Sequence, residues 1–456
     1  MIWEYIKCKM LKNPHKKIME GNVSMSYEEV VIYVENYAKK LTKPSYAILC
    51  HSEMHTALAL LSCLVAGVTA IPLSYRYGNA HWRRIVEAIN PTCIISDSNE
   101  SLDILDIDIG IYKDIEERPL LIMCTSGTTG IPKGAMISDE NLFTNIIDIE
   151  SYFDISSEDK ILITRPLYHC AVLSGEFLIS LVKGLDIVFK TGNFEPLKVL
   201  DLIEKQKITV MCGTPTIFYL LERFLKKGTI NLKSTAISGE CMRREGARRI
   251  RKILPNTKIY HVYGLTEASP RVLWLPPKYF DEFSEYVGIP LPSVQIKIVD
   301  ENGDDVSCNE EGELCVRGKS VMMGYYEQSS MTEKVLKDGW LHTGDIAVMN
   351  ESGFVSIRSR KDDMIIKAGI NIFPQEIENI LKTDERVEEV LAYGVTDTIL
   401  GQKIALKIKG RFSNKDEIIG LCHEKLPAYE QPSIVEIVEE IPKNGSGKMI
   451  RRNIDE

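Results

Sequence analysis

The sequence predicts an α/β fold. It has a large N-terminal domain of βαβ-type sheets with helices, a β-rich subdomain over about 287–359, and a small α+β C-terminal domain. Three observations carry this. Short apolar runs alternate with helix-like segments through the first two thirds of the chain. The texture changes after Val287 to short strands around glycine turns. A last helix-and-strand unit begins near Lys361. A length of 456 residues also exceeds what one ordinary core organises.

Taken in order, Tyr46–Cys50 is short and apolar and reads as a strand. The uncharged run Thr56–Leu73 is just long enough to span a bilayer, but Gly67 and Pro72 interrupt it. It therefore divides into a buried helix over 57–66 and a strand over 68–73. A helix near 80–89 and a strand over 92–96 continue the alternation. Further strands are expected at 160–164, 186–189, 209–212, 235–237 and 258–262, which implies a sheet with parallel strands. In the β-rich part, VQIKIVDENGDDV reads as a hairpin turning at Asn302-Gly303. GELCVRG and GFVSIRS add short strands. The C-terminal unit has a helix over 374–383, strands over 387–395 and 403–409, a helix over 415–426 and a glycine-bearing tail.

Composition narrows the function. Hydrophobic content of 44% and charged content of 26% are those of an ordinary globular chain. A formal net charge of -9 argues against a nucleic-acid surface. Eleven cysteines without any C-x-x-C point away from a zinc site or disulfide framework and toward a reducing cytoplasm. The first residues, MIWEYIKCKMLKNPHKK, lack a signal-peptide core, and no membrane span is expected.

One stretch concentrates chemistry. CTSGTTGIPKGA, Cys124–Ala135, holds three glycines, four hydroxyls and one lysine directly after the apolar run 120–123. Glycines at 127, 130 and 134 let a backbone turn tightly and bring N–H groups to a ligand. Such N–H groups cradle anions. Thr125, Ser126, Thr128 and Thr129 add hydroxyls, and Lys133 adds a charge, a set suited to polyphosphate. It is not a Walker A loop, because Gly134 follows Lys133, and it is not G-x-G-x-x-G.

TSGTTGIPKG resembles the signature phosphate loop of the adenylate-forming superfamily, which includes acyl-CoA synthetases, peptide-synthetase adenylation domains and firefly luciferase. Further stretches match in order: YGLTE at 263–267; Gly312-Glu313-Leu314 with Gly318 and Gly324-Tyr325; WLHTGD at 340–345; RKDD at 360–363 followed by Gly369 and PQEIE at 374–378; and PKNGSGK at 442–448. Together these motifs cover residues 124–448.

The resemblance implies a division into an N-terminal adenylate-forming domain, 1–359, a hinge at 360–362 and a mobile C-terminal lid domain, 363–456. It also implies roles. Thr125, Ser126, Gly127, Thr128, Thr129, Gly130 and Lys133 would hold the β- and γ-phosphates of ATP. Thr266 would meet the α-phosphate and Glu267 would hold Mg²⁺, which prefers oxygen ligands. Gly239, Glu240, Tyr263 and Gly264 would line the adenine slot. Asp345 would accept from the ribose hydroxyls, with Arg360 beside ribose and phosphate. Lys448, between glycines, would bridge the acid's carboxylate and the α-phosphate. Asp362 would be the pivot, and Gly369 would border a thiol tunnel. Ser359 and Ala368 stand where the family usually has glycine.

The implied reaction converts a carboxylic acid to acyl-AMP with release of pyrophosphate. Transfer to a thiol, of coenzyme A or of a carrier protein's phosphopantetheine, then gives a thioester. Acyl-pocket positions fall near His169, Ser174, Gly175, Phe218, Ile237, Ser238, Ala268, Ser269 and Arg271. No Asp lies between Pro166 and Glu176, which disfavours an α-amino acid. His169 resembles the gate position of acyl- and aryl-CoA ligases. The alternatives are a stand-alone adenylation enzyme, a luciferase-like oxygenase and a non-catalytic nucleotide-binding module; intact Lys133, Thr266, Glu267, Asp345 and Lys448 oppose the last.

Overall fold

The computed structural model describes residues 1–75, 79–98, 101–106, 118–125, 133–225, 228–240, 242–367, 370–397, 400–443, 449 and 451. The predicted α/β class is what forms. The chain divides into two compact units, one of residues 1–297, 315–342 and 353–355, the other of 298–314, 343–352 and 356–456.

The first unit contains two large sheets. The first has seven strands, ordered Gly324–Tyr325, Lys133–Ile137, Leu121–Thr125, Thr69–Pro72, Ser45–Leu49, Cys93–Ser98 and Ser101–Asp106. Its central pairs are parallel, and antiparallel hairpins close both sides. Every residue of Ser45–Leu49 is buried, as expected of a strand covered on both faces. The uncharged run is split as predicted. Ser52 Oγ accepts from His55 N–H at 3.1 Å to start a helix over Glu53–Ala66. Gly67, at φ +66°, ends it in the left-handed conformation, and Thr69–Pro72 follows as a strand. Among the described residues, no helix is long and apolar enough to cross a membrane.

The nine-stranded sheet is ordered Ile289–Pro290, Arg271–Leu275, Lys258–Gly264, Ser234–Ile237, Val210–Met211, Lys160–Ile163, Asp186–Phe189, Lys17–Glu20 and Val23–Ser26. Its six inner strands, from Lys258–Gly264 to Lys17–Glu20, run parallel. Helices 196–205, 215–224 and 244–253 cover it through Val199, Phe218, Leu221, Ile250 and Ile253.

The β-rich stretch forms a sheet ordered Val294–Val299, Glu311–Gly318, Trp340–Met349 and Leu336–Lys337, with Val355–Arg360 also on Trp340–Met349. The Asn302-Gly303 turn is present, with Gly303 at φ +93°. Its second arm makes only an isolated bridge, Val299 with Asp305. Asp300 holds the reversal by accepting the N–H groups of Asn302 and Asp304 at 2.8 and 3.0 Å.

Within the second unit, Val387–Asp397 and Gly401–Gly410 form a long antiparallel pair. Ile365–Lys367 and Ile370–Ile372 extend it on one side, and Ile434–Ile437 joins Gly401–Gly410 in parallel. Helices Pro374–Leu381 and Lys415–Lys425 pack on it through Ile377, Leu381, Ile418 and Leu421.

Candidate active site

In the first unit, parallel strands deliver the predicted residues to one edge of the nine-stranded sheet. His169 lies beyond the carboxyl end of Lys160–Ile163, Gly239 and Glu240 beyond Ser234–Ile237, and Thr266 and Glu267 beyond Lys258–Gly264. Open α/β sheets present their ligand sites at this edge. That last strand closes on half-buried Tyr263 and exposed Gly264. A Cβ on Gly264 would fall 1.7 Å from Pro270 O, so only glycine permits the tight return of the chain. Glu240 accepts from the hydroxyl and N–H of Thr216 at 2.7 and 3.2 Å.

Thr266–Ala268 form one 3-10 turn, and Ser269, at φ +68°, turns the chain into Arg271–Leu275. Asn145, fully buried on helix Asp139–Tyr152, clamps this return. Its Nδ2 donates to Arg271 O at 2.8 Å, and its Oδ1 accepts from Arg271 N–H at 3.3 Å.

Glu267 and Lys133 meet through a residue to which the sequence assigned no role. The Tyr325 hydroxyl donates to Glu267 Oε1 at 2.8 Å, and Lys133 Nζ stands 5.4 Å from the centre of the same ring. Tyr325 is placed by pairing with Ala135, and Met322 N–H donates to Glu267 O at 2.8 Å. Gly324-Tyr325 was legible only as part of a motif.

Lys133 pairs with Thr125 across the hairpin 121–125/133–137, which fixes both roots of the glycine-rich stretch. Ser126, Gly127, Thr128, Thr129 and Gly130 lie outside the described residues. Gly134, expected to turn near the ligand, is instead a strand residue. A Cβ there would come within 2.7 Å of Ile122 Cγ2 and Ile89 Cδ1, so close packing requires it.

His169 precedes a short helix, Cys170–Val172, with its ring 3.9 Å from that of Tyr168. A π-helix, Leu173–Leu178, follows, an element frequent at functional sites and invisible to periodicity. Ser174 Oγ donates to Cys170 O at 2.8 Å and to Ser269 O at 3.3 Å, tying this segment to the Glu267 turn. Burial pushes the Cys170 thiol up to about 12.

In the second unit, Asp345 is buried, and Arg360 Nη1 donates to its Oδ1 at 3.0 Å and to Thr343 O at 2.9 Å. Gly344, at φ +69°, gives its N–H to Glu313 Oε1 at 3.1 Å, and Lys361 pairs with Glu313 Oε2 at 3.0 Å. The two residues expected beside a ribose are thus a preformed pair. Asp362 belongs to a 3-10 turn, Lys361–Asp363. Gly369 and Lys448 lie outside the described residues. The residues flanking 444–448 are anchored. Lys443 bridges with Met449 and pairs with Glu389 at 2.7 Å. Arg451 Nη2 donates to buried Glu378 Oε2 at 2.6 Å. Burial raises the Glu378 carboxyl, and Arg451 opposes that rise.

The donor set suits a hard divalent cation. Glu267 Oε2 has no hydrogen-bond partner among the described residues, and no group of three or more His, Cys, Asp or Glu there could cage a metal. One carboxylate completed by phosphate oxygens and water is how Mg²⁺ is commonly held.

Comparisons place the chain among known proteins. A profile of AMP-binding enzymes matches residues 9–326, and one of the AMP-binding enzyme C-terminal domain matches 376–448. The long-chain-fatty-acid–CoA ligase of Salmonella typhimurium is 34% identical over 348 residues, 75% of this chain and 62% of that protein. The chain thus spans less than two thirds of that relative's length. Feruloyl-CoA synthase of Amycolatopsis sp is 27% identical, covering 99% of this chain and 97% of that one. The o-succinylbenzoate CoA synthetase of Bacillus subtilis, solved with its acyl-adenylate intermediate, superposes with a TM-score of 0.86 at 24% identity, covering 99% of this chain and 98% of that one. The same synthetase has been solved with ATP and a magnesium ion, also at a TM-score of 0.86 and 24% identity, covering 99% of each chain. These likenesses show the fold.

Proposed function

The chain belongs to the AMP-binding enzyme family, and on that footing we propose that it activates a carboxylic acid with ATP and passes the acyl group to a thiol. In the first step a carboxylate oxygen bonds to the α-phosphorus while the bond from that phosphorus to pyrophosphate breaks, leaving acyl-AMP. In the second a thiol sulfur bonds to the acyl carbon and AMP departs. The thiol belongs to coenzyme A or to a carrier protein's phosphopantetheine, and the reaction runs in the cytoplasm.

The observation that carries this reading is the Glu267–Tyr325–Lys133 arrangement at the carboxyl edge of parallel strands. A carboxylate suited to a cation and an ammonium suited to phosphate are held by one ring. Glu267 would hold Mg²⁺, which would neutralise phosphate charge there. Thr266, beside Glu267, supplies a hydroxyl to the α-phosphate, and residues 125–130 with Lys133 hold the leaving group. Fixed donors of this kind stabilise charge that builds in the transition state. Gly239, Glu240, Tyr263 and Gly264 border the adenine. Asp345, oriented by Arg360, meets the ribose. His169 gates the acyl site, and Lys448 neutralises the attacking carboxylate against the α-phosphate.

We assign residues 1–359 to the adenylate-forming domain, 360–362 to a hinge pivoting at Asp362, and 363–456 to a lid. Rotation of the lid withdraws Lys448 after adenylation and brings Gly369 to the thiol path. A panel of carboxylic acids scored by pyrophosphate release, with and without coenzyme A, tests the proposal. Acid-dependent release, with a thioester formed only when the thiol is present, is expected. Oxygen uptake or light would indicate the oxygenase alternative. No release with any acid would refute adenylation.

A further inference from the structure

The Arg271 side chain is a buried cation with no hydrogen-bond or ion-pair partner among the described residues. It is 3% exposed, its Nε has no hydrogen-bond partner, and its guanidinium forms no ion pair with any described residue. Glu176, fully buried in the π-helix, accepts at Oε1 from Arg165 Nη2, while its Oε2 has no hydrogen-bond partner and no ion pair joins it to Arg271. The ion pair of Glu176 is with Arg165, so Arg271 has no share in it. Isolating a charge from water is costly unless an opposite charge offsets it. Leucine or methionine would fill the same volume without that cost.

The guanidinium also has a fixed seat. A Cβ on Gly175 would lie 2.6 Å from Arg271 Nη2 and 3.0 Å from Cζ, so the absence of a side chain at 175 admits it. Ser174 beside it bonds back to Ser269 O. The Cys170 thiol, raised first by burial, feels both the Glu267 carboxylate and the Arg271 guanidinium. Arg271 therefore lies among the positions assigned above to the acyl group, within electrostatic reach of the same thiol as Glu267.

We propose that Arg271 receives a second carboxylate on the substrate, so that the acid activated is a dicarboxylic acid. This rests on the acid-activating function proposed above. One carboxylate reacts, and the distal one pairs with the guanidinium in the bidentate geometry that arginine favours. An apolar acyl chain in the same place would leave a desolvated cation unpaired.

The test compares succinic, glutaric, adipic and terephthalic acids, each against the monoacid of the same skeleton, by ATP-dependent pyrophosphate release. For at least one skeleton the wild-type protein should favour the diacid by about thirtyfold or more in kcat/KM. Arg271→Met should bring that ratio to one or below, and Arg271→Lys should keep part of it. Equal or better use of every monoacid by the wild type, or an unchanged ratio in Arg271→Met, overturns the inference while leaving adenylation standing. Silence with all acids overturns both. Should Arg271→Met fail to fold, the wild-type ratio and the Arg271→Lys ratio still decide the question.

Discussion

The Tyr325 hydroxyl donates to Glu267 Oε1 at 2.8 Å across 58 residues of sequence, and the same ring faces the Lys133 ammonium. Removing only the hydroxyl separates the two contacts. Tyr325→Phe should raise the Mg²⁺ concentration for half-maximal pyrophosphate release roughly three- to tenfold, the net worth of one ordinary hydrogen bond. Tyr325→Leu should also raise the KM for ATP, because the ring under Lys133 is lost. Titrating each variant with Mg²⁺ and ATP separately checks this. A lowered melting temperature with unchanged Mg²⁺ dependence would reduce Tyr325 to a packing residue.

Asn145 satisfies both the N–H and the C=O of Arg271 from a position with no solvent access. Asn145→Ala leaves two buried backbone groups unpaired and should cost about 2–4 kcal/mol. A urea titration should show a lower unfolding midpoint. Loss of kcat/KM should exceed that of a surface control, since Thr266 and Glu267 ride on the clamped turn.

Lys448→Ala should abolish acid-dependent pyrophosphate exchange while largely sparing thioester formation from supplied acyl-AMP. Equal survival of both half-reactions would remove Lys448 from the first. Arg451→Met weakens one anchor of the segment that carries Lys448, where Arg451 bonds Glu378. It should lower the same half-reaction partially, and a loss confined to the thiol step would count against that anchor.

Burial lowers His261 to about 4, and its ring bonds Ser284 O at 3.1 Å. The unfolded histidine takes a proton near pH 6.5, so the folded state loses stability as pH falls from there toward 4. Between pH 7.5 and 5 this one group should remove roughly 2 kcal/mol. Urea unfolding of wild type and His261→Gln at both pH values checks it. The variant's loss should be smaller by about that amount.

Much of the fold was legible because local rules decide it. Gly67 divides the uncharged run and Asn302-Gly303 turns the chain, and both signals sit within a few residues of their effect. The long-range ties were not. Asn145 reaches Arg271 over 126 residues, and Arg451 reaches Glu378 over 73, distances at which no spacing pattern operates. Gly134 shows a subtler failure. Its presence was legible, but the reason for it lies in Ile89 and Ile122, which only tertiary packing brings near. Asp345 and Arg360 were each read as facing a nucleotide, whereas their mutual bond depends on the register of two strands.

The buried helix Glu53–Ala66 and the strand after it have a consequence for biogenesis. Strand Thr69–Pro72 lies between Ser45–Leu49 and Leu121–Thr125, so its second neighbour leaves the ribosome about fifty residues later. Until then the nascent polypeptide displays an uncharged hydrophobic stretch long enough to engage a membrane insertase. Holding factors that shield this interval should govern the yield of native protein, and a charge placed in the stretch would trade that hazard for a damaged core.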